Sequence, residues 1–160
     1  MDDHTRILEQ LRRTYDGDAW YGSSLRALLA DVDAATAAAR PIPTAHTIWE
    51  TVRHISLWLV AVRRRLAGEP VDYSDDADWP AVPTPTRAAW LATLDVLEQS
   101  ERALEHAVES MPAAALYEPV PGKHYTAAVM LHGAVQHAVY HAGQIALVKK
   151  AARAGASVPH

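Results

Sequence analysis

Apolar residues recur every three to four positions along four long stretches of the chain, a period that predicts amphipathic helices. The first covers residues 3–15, with Ile7, Leu8, Leu11 and Tyr15 on one side and Asp16-Gly17 ending it. Thr44 or Thr47 opens the second, which runs to about Ala67 with Gly68 behind it. Its seam is strict: Ile48, Val52, Ile55, Leu59, Val62 and Leu66. The third runs from near Thr86 to Ser110 on Trp90, Leu94, Leu97, Leu104, Val108 and Met111. Glu101 interrupts that stripe and is expected to slip outward to solvent. Thr126 opens the last helix, to Lys150, where Met130, Ala134, His137, His141, Gln144 and Val148 keep a four-three spacing.

The connections differ in character. Ser23-Ser24 reads as the N-cap of a short helix through Leu25, Leu28 and Leu29, and residues 33–39 as another helical turn stopped by Pro41 and Pro43. Residues 69–85 form an acidic, proline-rich loop in which Asp75, Asp76 and Asp78 are expected to be solvated. Residues 112–125 form the last connection. Four long helices, with short connections except the first, predict an all-α, up-down-up-down four-helix bundle with short extra helices between the first and second core helices. Residues 1–160 are expected to make one such domain.

Composition narrows the function. A net charge of -4 with the signs scattered argues against a nucleic-acid surface. No apolar run reaches the ~20 residues of a membrane span, and the acidic start is not a signal peptide, so the expected location is the cytoplasm. Cysteine is absent, which removes disulfides, thiolate ligands and a cysteine nucleophile. Any metal must be held by His, Asp or Glu, and the chain has nine His. Phe is also absent, so five Trp and six Tyr supply the aromatic packing.

His137 and His141 are the chemical centre of this pattern. Four residues apart, they lie one turn apart on one side of a helix, with Cβ atoms about 6 Å from each other. Two imidazoles in a buried seam need partners for their ring nitrogens. One metal ion satisfies them, and so do hydrogen bonds to carboxylates or carbonyls; spacing leaves both open. His54 lies on a flank of the second helix with Thr51 and Trp58, which permits a ligand without demanding one. Around these, Glu50 is expected to be an exposed helix glutamate or, one turn from His54, an acceptor for its ring, Trp58 to wall a pocket, Gln144 to hydrogen-bond near His141 or pack across a helix interface, and Glu101 to reach a metal or a histidine if it stays inside. His124 and Tyr125 are placed at a pocket mouth. His46 is expected to help cap the second helix, and His4, His106 and His160 to be solvated; His132 lies outside the seam.

The order of motifs resembles the DinB/YfiT-like superfamily. The stretch Pro41-Ile-Pro-Thr-Ala-His-Thr-Ile-Trp-Glu-Thr-Val-Arg-His54, with Trp20 before it and Trp58 and Arg65-Leu-Ala-Gly68 after it, is similar to that family's second-helix signature. Leu131 to Gln144 is similar to its last-helix signature, in which His-x-x-x-His precedes a Gly-Gln pair. The resemblance implies a commonly dimeric four-helix bundle with one divalent metal held by three histidines, here His54, His137 and His141. Zinc, nickel, iron and manganese are all compatible with three imidazoles, zinc or nickel being the first expectation. It also implies activities such as metal-dependent thiol S-transfer, joining a small-molecule thiol to an electrophile, or a related hydrolase or isomerase reaction. The rival expectations are a non-catalytic metal-binding or stress-related helical interaction module, and a metal-free helical dimer.

Overall fold

Polar caps delimit the helices in the computed structural model, which describes residues 1–156. Asp2 accepts from the Thr5 backbone N–H to start α1, Asp3–Tyr15. Ser24 and Asp33 do the same for the short helices α2, Leu25–Leu29, and α3, Ala34–Ala38. Thr47, not Thr44, caps α4, Ile48–Leu66, in a reciprocal box: the Thr47 hydroxyl takes the Glu50 N–H while the Glu50 carboxylate takes the Thr47 N–H. Gly68, at φ +81°, turns the chain out of α4 in a conformation that disfavours any side chain. The acidic connection folds into a single turn, α5, Asp75–Asp78. Thr86 caps α6, Arg87–Ser110, and a 3-10 turn, Ala113–Tyr117, precedes α7, Ala127–Ala156. No strand occurs among the described residues.

The fold is all-helical, and its four long helices close a ring of contacts: α1 packs on α6 and α7, and α4 packs on the same two. The seams are where the apolar period puts them. Ile48, Val52, Ile55, Leu59 and Val62 of α4 are buried, as are Trp90, Leu97, Leu104 and Val108 of α6. α7 is apolar around more of its circumference than one seam requires. Leu131, Ala138, Ala142 and Ile145 are buried beside Met130, His141 and Val148, while Val129, Tyr140 and Leu147 face solvent. A helix with such a broad apolar face can pack against two neighbours at once.

Two tryptophans fix the centre. Trp49 and Trp90 meet edge to face at 5.1 Å, and neither indole N–H is wasted. Trp49 donates to the Thr93 hydroxyl at 2.9 Å, and Trp90 donates to the Val32 carbonyl at 2.7 Å, pinning the α2–α3 connection to α6. Trp20 has no such pocket and is 99% exposed.

Glu101 corrects an expectation. It does not slip outward: it stays in the α6 seam at 4% exposure, with Oε1 buried and without a hydrogen-bond partner. Burial, with the Glu105 charge adding to it, raises its pKa to about 8, so it is held as the neutral acid at pH 7. The folded protein then keeps a proton that the unfolded chain releases above its ordinary carboxyl pKa, and stability falls as pH rises from about 4.5 to about 8. Glu101→Met, which retains volume without the buried polar atoms, is expected to be more stable than the parent. Urea unfolding should show a gap that widens by roughly 1–3 kcal/mol between pH ~5 and pH ~8.5. A gap independent of pH contradicts the buried-acid assignment.

Candidate metal centre

Three histidines from two helices meet at one point. α4 contributes His54, and α7 contributes His137 and His141, one turn apart. Nε2 of His137 lies 2.9 Å from Nε2 of His54 and 3.1 Å from Nε2 of His141. One donor nitrogen from each ring lies within 4.8 Å of the other two. His54 and His141 are buried, and His137 is half-buried. The position of His54 on a flank of α4 resolves physically: α4 touches both α6 and α7, and the flank is the side facing α7.

The outer nitrogens set the tautomers. Nδ1 of His54 lies 2.7 Å from the Asp78 backbone carbonyl, and Nδ1 of His141 lies 2.6 Å from Oε1 of Gln144. A carbonyl oxygen only accepts, so each Nδ1 carries the hydrogen and each neutral ring presents a lone pair at Nε2. At most one hydrogen, on His137 Nε2, is then available for two facing lone pairs. A cation satisfies all three nitrogens at once. Metal–nitrogen bonds of about 2.1 Å put adjacent donors about 3.0–3.4 Å apart, close to the 2.9 and 3.1 Å that separate His137 Nε2 from its two neighbours. The donor set and its spacing fit a divalent ion.

The electrostatics agree. Burial, with His141 and His54 beside it, lowers the His137 pKa to about 4. Burial also lowers that of His141, against the opposing Gln144 hydrogen bond. Both rings are therefore neutral at pH 7, the state in which imidazole binds a metal.

Asp78 and Trp79 belong to the site, although the acidic loop read as solvated. Besides its carbonyl, Asp78 places Oδ1 2.6 Å from the Trp58 indole N–H and 3.4 Å from His54 Nδ1. Trp79 stacks on His54 at 4.1 Å and 8°, and on His46 at 3.4 Å and 3°. The signal available was a tryptophan inside an acidic, proline-rich segment: so large a ring needs something to pack on, and the loop folds back to provide it.

The other candidates sort clearly. Gln144 fixes His141, and Trp58 lines the cavity. Glu50 is spent elsewhere, holding the α4 cap and a two-oxygen pair with Arg40 at 2.7 and 2.8 Å, so it does not orient His54. Glu101 is not part of the cluster. His46 stacks on Trp79, leaving the cap to Thr47. His4 is partly buried, with Nε2 2.6 Å from the Val108 carbonyl, rather than solvated. Tyr125 lines the cavity, whereas His106, His124 and His132 are exposed. His160 lies outside the described residues.

The imidazoles open onto a cavity of about 610 Å³ between α4 and α7, walled by Trp58, Leu59, Val62, Met130 and Tyr140 and capped at one side by Trp79. Among the described residues no fourth Asp, Glu or His completes the cluster. Three neutral donors with one side open suit chemistry on a small molecule better than a closed structural site.

Residues 9–145 match the model of the DinB superfamily. No curated protein and no solved structure matches the chain significantly.

In chelated protein the folded state resists protonating His137, while the unfolded chain accepts that proton near pH 6.5. Stability should therefore fall as pH drops from about 6.5 toward about 4, and His137→Gln should flatten that slope. Thermal melts at pH ~7.5 and ~5 check this; equal slopes in the two proteins contradict it.

Proposed function

The chain belongs to the DinB superfamily, and from that premise we propose that it is a metal-dependent enzyme acting on small electrophiles, foremost a thiol S-transferase. His54, His137 and His141 would hold one divalent ion, zinc or nickel first, with iron or manganese as alternatives. The observation that carries this reading is the open cluster of three imidazole Nε2 atoms at the cavity floor, two of them presenting lone pairs. Such an ion, when bound, supplies a positive charge that lowers the pKa of a thiol or water reaching it.

The chain's own residues supply the rest. Asp78 and Gln144 hold two ligand rings by their outer N–H groups, a kind of support whose loss typically costs about 10–100-fold in metal affinity. Trp58 and Trp79 exclude water from one side and offer flat apolar faces to a substrate. Among the described residues Asp78 is the one carboxylate lining the cavity, and its side chain is 29% exposed, so it is placed to receive a proton released there. The absence of cysteine agrees with a thiol brought in from outside.

The same proposal covers the wider setting. The four long helices run up-down-up-down in one domain, and the protein works in the cytoplasm as a homodimer. Exposed apolar residues on α7, Val129, Tyr140 and Leu147, support a second copy packing there. No helix among the described residues is long and apolar enough to cross a membrane.

A panel of low-molecular-weight thiols with a chromogenic electrophile tests the activity. Conjugation is expected with at least one thiol, falling at least 100-fold on chelation and in His54→Ala, and returning on metal addition to the parent only. A rate indifferent to chelation and to His54→Ala removes the transferase reading; bound metal with no turnover leaves the non-catalytic module.

A further inference from the structure

The cavity has a second chemical feature at the end away from the imidazoles. Apart from the histidines, the charged side chains lining it among the described residues are Asp78, next to His54, and Arg65. Arg65 is 8% exposed, eleven residues along α4 from His54, and its guanidinium reaches back toward Trp58, with Cζ 5.4 Å from the ring centroid. From that ring to the His54 ring is 6.4 Å, so guanidinium and imidazole are separated by less than about 12 Å across one indole.

The charge on Arg65 is poorly compensated. Nε and Nη2 donate to the Val71 carbonyl at 2.9 and 2.7 Å, which satisfies hydrogen bonds but supplies no negative charge. Among the described side chains the nearest carboxylate, Asp72, stands 3.4 Å from Nη2, is 75% exposed and is also bound by Lys123. One exposed carboxylate thus faces two cations. Nη1 has no acceptor among the described residues. A buried guanidinium with spare donors and a shared counter-ion favours an anion from outside, and its planar fork suits a carboxylate.

We propose that Arg65 anchors a carboxylate at the far end of the cavity's ligand. The substrate class is then amphipathic acids: a reactive head at the three imidazoles, an apolar body against Trp58, and a negative tail on Arg65. The position of the head rests on the metal reading above; the anchor does not. A short aliphatic chain bridges the less than about 12 Å between guanidinium and imidazole.

The test compares 6-mercaptohexanoate with its neutral counterpart 6-mercaptohexanol, both binding to untagged full-length protein. Tryptophan fluorescence and calorimetry give the affinities, once zinc-loaded and once after chelation. The acid is expected to bind about tenfold more tightly than the alcohol in both forms. Asp72→Asn changes an exposed side chain and should raise that ratio by freeing Arg65. Arg65→Gln should bring it near one, and Arg65→Lys should restore it in part. If zinc strengthens neither compound but the acid keeps its advantage, the anchor stands and the metal-bound head falls. A ratio near one in both forms, or one that Asp72→Asn and Arg65→Gln leave unchanged, overturns the proposal.

Discussion

Two neutral imidazoles whose outer nitrogens each donate to a carbonyl cannot also donate through their inner ones. That constraint, set by Asp78 and Gln144, governs the centre of this protein. With a third ring 2.9 and 3.1 Å away, lone pairs converge on a point that neutral histidines alone cannot fill. Leaving a buried polar atom unsatisfied costs about 1–3 kcal/mol. A fold that turns several lone pairs toward one another, and fixes their tautomers from behind, is suited to a cation.

The helices exist to hold that arrangement rigidly. α4 and α7 pack on one another, α4 rests on α6 and α7 on α1, so rings borne on separate helices are located by the whole core. The Trp49–Trp90 contact and its two indole hydrogen bonds lock α4, α6 and the α2–α3 connection together beneath the site. The segment between α4 and α6 closes it from outside: Arg65 grips the Val71 carbonyl at one end, and Asp78 and Trp79 dock on His54 at the other. Glu101 offers a contrast, since its buried oxygen also lacks a partner but has no neighbours of its kind. Several lone pairs facing one another make a site; an isolated unpartnered oxygen is a local cost.

The helices and their caps were legible because they depend on local rules. Thr47, Thr86, Asp33 and Ser24 all act where capping chemistry places them. The His137/His141 pair was legible as a pair, since helical geometry alone puts it on one face. His54 was not, because its partners come from a helix more than eighty residues later, and only the family resemblance singled it out. Asp78 and Trp79 were missed for a related reason. Composition described their segment as acidic and proline-rich, which fits a solvated loop, whereas its contacts with His54 and His46 depend on where α4 ends and how the chain returns. Glu50 was read from spacing as a neighbour of His54, but the closer claims of the Thr47 cap and Arg40 take both its oxygens. Glu101 was expected to leave the seam because burying a carboxylate is costly; it stays by keeping its proton.

The most direct measurement is nitrogen NMR of the imidazole rings as zinc is added to metal-free, untagged protein. One equivalent should move the Nε2 resonances of His54, His137 and His141 together, leave Nδ1–H on His54 and His141, and saturate there. Saturation with those three unmoved, or zinc collecting on other histidines, would contradict a shared ion between α4 and α7.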